Sequence, residues 1–439
     1  AEILMNKNVK ITGSDCTESE ITKRLAAMGA TIFPGHSASN ISGQDLVVYT
    51  AAISQDNPEL LEAKKKNIPA IERSVLLGAI MDQYENSIAI SGTHGKTTTT
   101  SMISSIVLES ALDPTIHVGG LLDIIGGNTR VGESQYFIAE ACEYKNSFLH
   151  FRPSLAIILN IDADHLDFFK DIDDIRNSFE AFIGNVRTPG GVILNIDDPQ
   201  TRNLSKVLTR PFITFGISSP NADWSCEHAF KDGCANLDVY YKKAFWASIK
   251  LPVPGIHNIY NALAAIATCH SLDIQKGCIV TGLEKFKNPH RRLEDKGNLH
   301  GIRVMDDYAH HPTEIQASLN AARILATNKI FCVFQPHTYT RTYELLDDFA
   351  KSFAQADTVV ITDIFAAREK DTGLINSRIL SERINMITGN SVYIPKFDDI
   401  ITFLNESASS GDLIITMGAG NIYKLGEQLI TKSKTSPTA

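Results

Sequence analysis

Residues 87–107 read SIAISGTHGKTTTTSMISSIV. A short apolar run ends in a glycine turn, a lysine and four threonines follow, and then comes a helix-like pattern. A loop between strand and helix bares backbone N–H groups, and the helix N-terminus adds partial positive charge, so the place suits an anion. Gly92 and Gly95, with Thr93 and His94 between them, let the main chain approach closely. Lys96 can reach terminal phosphate oxygens, Thr97 can put a hydroxyl on Mg²⁺, and Thr98 carries the loop into the helix. The usual pattern is GxxxxGK[ST]; here Ile90 stands five before Gly95, so the loop is a shortened G-x-x-G-K-T. A plain strand-to-helix connection is the alternative.

A phosphate loop needs a metal partner. Glu140 closes YFIAEAC, and His165 follows LNIDAD. Carboxylate and hydroxyl oxygens suit Mg²⁺, while a histidine suits Mn²⁺ better. Glu140 as a helix cap and His165 as a hydrogen-bonded loop residue are the simpler alternatives. Further on, MDDYAHHPTEI (305–315) holds His310 and His311, which diverge as neighbours, and FQPHTYTRT (334–342) holds His337 and Arg341. Arg292 lies in FKNPHRRLE. Such cations could clamp a carboxylate or stabilise phosphoryl charge, or could cap helices. Asn258 and Asn261, three apart at the start of HNIYNALAAIATC, share a helix face and either hydrogen-bond a base or cap.

These residues need elements to hold them. Apolar runs alternate with helical patterns in three blocks, which predicts α/β architecture with parallel sheets covered by helices. Strand-like runs fall at 8–15, 30–36, 45–53 and 68–74; at 87–92, 136–142, 155–162, 190–197 and 211–216; and at 301–309, 329–336, 357–365 and 412–420. Periodicity lapses near residue 86 and within 286–294, giving expected domains of 1–86, 87–288 and 289–439. Several runs end in acids: Asp15, Glu140 with Glu143, Asp162 with Asp164, Asp306 with Asp307. Ligands of open α/β sheets gather at such carboxyl ends, although acids there also cap helices. The tail TKSKTSPTA is polar and expected to be loose.

Composition limits the choices. The 439 residues are 43% hydrophobic and 21% charged, as in soluble globular chains of two to three domains. A net charge of −9 argues against a nucleic-acid partner. No apolar stretch reaches membrane-spanning length and no secretory signal opens the chain, so no membrane insertion is expected. Seven scattered cysteines without a CxxC pair fit reduced thiols and a cytoplasmic setting, without structural zinc. No NKxD motif follows at the spacing a GTPase needs.

The fragments SGTHGKTTTT, YFIAEACEYKNSFL, LNIDADHLD, GIHNIYNALAAIA, HRRLE, DDYAHHPTEI, FQPHTYTRT and DIFAAREK occur in this order. Together they closely resemble the Mur ligases of bacterial peptidoglycan synthesis, from about residue 8 to about residue 425; DDYAHHPTEI with FQPHTYTRT matches the alanine-adding branch. The resemblance implies three domains: a Rossmann-like domain for a UDP-substrate, a central P-loop ATPase domain and a C-terminal Rossmann-like domain for the amino acid. It implies ATP-dependent ligation of L-alanine to the lactyl carboxylate of UDP-N-acetylmuramate through an acyl-phosphate. Carried over, Gly92–Thr98 hold the triphosphate; Thr97, Glu140 and His165 hold Mg²⁺ (or Mn²⁺); Asn258 and Asn261 lie near adenine; Arg292 and Asp307 lie beside the nucleotide. Lys96, Glu140, His165, His310 and Arg341 form the implied catalytic set. Ser14, Asp15, Tyr308, His337 and Arg341 fall to the substrates, with His310 or His337 as the base. A monomer or homodimer is expected.

Two departures carry expectations. Family members open with a strand and a GIGGIGMSG-like loop, whereas this sequence starts at AEILMNKNVKITGSD, which matches the end of the helix after it. An unpaired edge in the first sheet follows. The region that in sister ligases supplies a carbamylated lysine reads IRNSFEAFIGN and has no lysine, so none is expected. A murein tripeptide recycling ligase, and a nucleotide-binding protein without ligase activity, are the alternative readings.

Overall fold

The computed structural model describes residues 1–50, 53–371 and 373–435. The chain forms two compact units. One comprises Ala1–Asp162, Asp171–Asp223 and Ala264–Gly282; the other comprises Ala163–Lys170, Trp224–Leu263 and the chain from Leu283 onward.

In the first unit, strand Asn86–Ser91 lies between the parallel strands Leu155–Ile158 and Tyr136–Glu140. Gly191–Asn195 and Phe212–Phe215 extend the sheet on one side, also in parallel. Thr115–Leu122 extends it on the other, where Gly127–Arg130 pairs antiparallel. Ile88, Ala89, Ile90, Phe137, Ile138, Ala139, Ala156, Ile157 and Ile158 have no exposed surface. Their uninterrupted apolar sequence is what a parallel sheet covered on both faces requires. The 92–98 loop therefore leaves the carboxyl end of a fully buried strand.

It opens helix Lys96–Leu108, which is buried almost all round. Threonine and serine are indifferent helix formers because their hydroxyls compete for backbone groups. Here the competition is settled inside the helix. Thr100 donates to the Lys96 carbonyl at 2.8 Å, and Ser101 and Ser104 donate to the carbonyls of Thr97 and Thr100 at 2.7 Å each. With their hydroxyls satisfied, these residues pack as small side chains and let a neighbouring helix come close. Ser105 reaches the Gly282 carbonyl at 2.7 Å, and a Cβ on Gly282 would lie 2.5 Å from Ile106 Cα. Gly282→Ala must push backbone from backbone, so a loss of about 1–3 kcal/mol is expected in urea unfolding; an unchanged midpoint would contradict the close crossing.

Residues 1–85 hold shorter strands. Thr12–Asp15 pairs in parallel with Thr31–Pro34, and Val47–Tyr49 with Ala70–Glu72. Among the described residues these are two separate two-stranded sheets rather than one. The run expected at 45–53 extends onto residues 51 and 52, which lie outside the described residues.

The second unit contains an antiparallel meander, Trp224–Lys231, Cys234–Tyr241 and Ala244–Leu251. Its antiparallel pairing departs from the parallel sheets expected throughout, and its apolar–polar alternation is the signal that marks it. The unit's six-stranded sheet runs Glu294–Leu299, Ile302–Asp307, Leu413–Met417, Ile330–Phe334, Thr358–Ile361, Ser391–Tyr393. All neighbours are parallel except the first pair. One face packs on Ile315, Leu319, Phe349, Phe353, Leu380 and Ile384; the other packs on Ile400, Leu404, Leu425 and Leu429. Strand Leu413–Met417 returns between two strands that precede it in the chain. Such a reversal leaves a crevice at the carboxyl ends. Glu294–Leu299 begins inside the expected linker. Tyr423–Thr435 is one helix, which includes the first residues of the tail; 436–439 lie outside the described residues.

Candidate active site

In the first unit the glycine loop is fixed from below by Asn160. Its side-chain oxygen accepts from the His94 amide at 2.8 Å, and its amide donates to the His94 carbonyl at 3.0 Å. The Thr93 hydroxyl accepts from the Asp162 amide at 2.9 Å, and the His94 ring meets the Asp162 carboxylate at 3.0 Å. Gly92 sits at φ 140° with Asn160 backbone 3.2 Å from where a Cβ would be; Gly95 sits at φ 86° as the helix N-cap. No residue with a side chain fits both demands at Gly92. The first-turn amides of Lys96, Thr97 and Thr98 have no intrahelical acceptor by helix geometry, so the expected anion cradle is present in form.

Thr97 donates its hydroxyl to Glu140 at 3.1 Å, and the other Glu140 oxygen accepts from the Gly119 amide at 2.6 Å. Glu140 is therefore not a helix cap. Carboxylate and hydroxyl meet as a pair of hard oxygens, which is the donor chemistry Mg²⁺ takes. His165, the third expected ligand, belongs to the second unit. It takes a left-handed backbone (φ 56°) beside Asp164, whose carboxylate is 3.8 Å from its ring. Lys96 donates to the Thr93 carbonyl at 3.0 Å and to both oxygens of Glu143, at 3.1 and 2.9 Å, and also meets the Gly92 carbonyl. Burial, the largest single influence, works against its charge, but Glu143 together with Cys142 and Glu140 more than offsets it and raises the lysine pKa above its ordinary value.

Ser14 and Asp15, expected to serve a substrate, end strand Thr12–Asp15. Ser14 donates to Glu59 at 2.7 Å and lies 2.9 Å from the His36 ring. Together with Asp15, Asn40 and Asn57 they line a cavity of about 390 Å³.

In the second unit, Arg341 is the hub. Its Nη2 and Nε reach Asp164 at 3.0 and 3.3 Å, and its Nη1 donates to His337 Nδ1 at 3.2 Å. His310 stands 5.8 Å from His337 and 5.3 Å from Tyr308, ring centre to ring centre, and its Nδ1 lies 3.0 Å from the Tyr308 carbonyl. A carbonyl only accepts, so His310 Nδ1 carries the proton and Nε2 holds the lone pair. His337 is the opposite tautomer, because its Nδ1 accepts from Arg341. His311 turns away to cap helix Pro312–Leu325, its Nε2 3.1 Å from the Ala163 carbonyl. Asp307 accepts from the Leu293 and Ala309 amides at 2.8 and 2.7 Å, so its carboxylate shapes the loop, and burial pushes its pKa up. Asn258 donates to the Pro254 carbonyl at 2.7 Å, and Asn261 lies 3.4 Å from the Asn258 oxygen, so the two do share a face.

Arg291 was not singled out by sequence. It lies between the rings of Tyr308 and Tyr423, at 4.9 and 4.8 Å, and donates to Asp306 at 3.0 Å. Arg292 lies over the same Tyr308 ring at 5.4 Å. The doubled arginine was a usable signal, but only its second member was read. Asn160 and Glu143 were likewise legible only as polar residues at strand ends.

Burial lowers both His310 and His337 to about 4; Glu314 partly opposes this for His310, while Arg341 adds to it for both. Both rings are therefore neutral at pH 7. The folded protein declines protons that the unfolded chain, near pKa 6.5, accepts, so stability rises with pH between about 4 and 6.5. A His337→Asn variant is expected to flatten that slope in thermal melts; an equally steep slope would rule the assignment out.

Three family models match in succession: "Mur ligase family, catalytic domain" over residues 1–85, "Mur ligase middle domain" over 90–269 and "Mur ligase, glutamate ligase domain" over 291–420. The UDP-N-acetylmuramate–L-alanine ligase of Acetivibrio thermocellus is 54% identical over 432 residues, 98% of this chain and 92% of that protein. The same-named protein of Clostridium novyi is 51% identical over 431 residues, 98% and 94% of the two chains. The solved UDP-N-acetylmuramate-alanine ligase of Thermotoga maritima superposes with a TM-score of 0.84 at 28% identity, covering 99% of this chain and 96% of that one.

Proposed function

The chain belongs to the Mur ligase family, and from that membership we propose that it joins L-alanine to the lactyl carboxylate of UDP-N-acetylmuramate while ATP becomes ADP and phosphate. The observation that carries this reading is the 92–98 loop, with Lys96 on the loop and Thr97 against Glu140 at one sheet end. We assign residues 1–86 to the UDP-substrate, 87–288 to ATP and 289–439 to the amino acid, in the cytoplasm.

A carboxylate resists an amine because it is anionic and would have to expel oxide. Phosphorylation replaces that leaving group with phosphate. Lys96 and the loop amides spread the charge of the γ-phosphoryl group as it moves to the substrate carboxylate. Thr97 and Glu140 would hold Mg²⁺, which when bound neutralises charge on the phosphate oxygens. In the second unit Arg341 clamps the alanine carboxylate. The amine then attacks the acyl-phosphate, forming the amide and releasing phosphate. His310 Nε2 takes the proton the amine sheds, since His337 directs its lone pair at Arg341.

Incubating the protein with MgATP, UDP-N-acetylmuramate and L-alanine tests this. Phosphate release that requires both acceptor and alanine, with UDP-N-acetylmuramoyl-alanine formed, is expected. Release with the L-Ala-γ-D-Glu-meso-diaminopimelate tripeptide but not with alanine would transfer the assignment to the recycling reaction. No release with either would remove ligase activity.

A further inference from the structure

Lys96 has three N–H donors, and the protein supplies three acceptor groups: the carbonyls of Gly92 and Thr93 and the carboxylate of Glu143. The carbonyls belong to the loop itself. Glu143 comes from beyond the next strand's end, and its side chain is 3% exposed. A phosphate oxygen can therefore bond Lys96 only by displacing one of these groups. Glu143 is the one that is not part of the loop backbone, and the one whose charge a phosphate repels. The mechanism above gives Glu143 no part. Glu140, three residues earlier, is already held by Thr97 and Gly119, so the two acids divide the work.

We propose that Glu143 is a positioning residue of the phosphate loop: its carboxylate holds the Lys96 ammonium against the loop and competes with the nucleotide's terminal phosphates for it. The proposal rests on the reading of 92–98 as an ATP loop. Its consequence is a limit on nucleotide affinity. When product leaves, the ammonium has a counter-ion to return to, so ADP departs without stranding a buried cation. Only phosphates within reach of Lys96 are affected, so AMP is indifferent to Glu143.

The test is calorimetric binding of MgADP, with AMP as control, to wild type, Glu143→Gln, Glu143→Asp and Lys96→Met, and to the Lys96→Met/Glu143→Gln double variant. Glutamine keeps the shape and one acceptor but removes the charge. Glu143→Gln is expected to bind MgADP about tenfold more tightly, with ADP release slowed by a similar factor in stopped flow, while AMP binding stays the same. Glu143→Asp stays within about threefold of wild type. In the Lys96→Met background the glutamine change is expected to have no effect. Unchanged or weaker MgADP binding in a folded Glu143→Gln protein overturns the proposal. So does equal tightening in the Lys96→Met background, since the carboxylate would then act on the nucleotide directly. If wild type itself binds neither MgADP nor MgATP, the ATP-loop reading fails instead, a separate result from wild type and Glu143→Gln binding alike.

Discussion

Lys96→Ala lowers kcat/KM for alanine addition by about 10³. Removing one fixed donor aimed at developing charge typically costs 10²–10³ in rate, and Lys96 is a full charge rather than a dipole. The structure adds that the lysine is also half of a buried ion pair. Its loss leaves Glu143 in the interior without a cation, and breaking such a pair from one side costs about 3 kcal/mol. Inactivity alone would thus be ambiguous between lost chemistry and lost folding. The double variant Lys96→Ala/Glu143→Gln separates them: its melting temperature should return toward wild type while phosphate release stays about 10³ down. Turnover within tenfold of wild type in either variant would take the central role away from the loop.

Arg341→Ala raises KM for alanine by at least tenfold and leaves KM for ATP within about twofold. The guanidinium matches a carboxylate in planar, two-pronged fashion, so lysine in its place should recover the charge but not the fit. An equal rise in both KM values would contradict its place at the amino acid. A second effect comes from Asp164, whose side chain is 10% exposed and whose partner is Arg341. Burial alone would raise the Asp164 pKa, but Arg341, with smaller help from nearby histidines, outweighs burial and holds the carboxyl well below its usual range. A depressed carboxyl contributes stability that is complete above the unfolded value near 4 and is lost as pH falls further, toward the folded value. The variant should therefore be about 3 kcal/mol less stable at pH 7, and the gap should narrow below pH 4. Melts at pH 7 and pH 3.5 give both numbers.

The stretch 87–107 determined a good deal unaided. Its apolar run pointed to a strand, its glycines to a close turn, and its lysine and threonine to an anion and a metal, with a plain strand-to-helix connection left as the alternative. The same local logic found the central strands of both large sheets and the acids at their ends, but not Thr115–Leu122, Gly127–Arg130 or Ser391–Tyr393. It missed the meander at 224–251, whose alternation was there to be read, and it took Glu294–Leu299 for linker. What sequence could not supply was pairing across distance. Nothing local says that Glu143 meets Lys96, that Asp164 meets Arg341 across 177 residues, or that Arg291 lies between two tyrosines. Nor could it choose between His310 and His337, because a tautomer is set by the neighbour each ring nitrogen finds. Residue types fix which groups can carry charge or protons; only the folded chain, by burying those groups together, decides which of them are held, opposed or free to react.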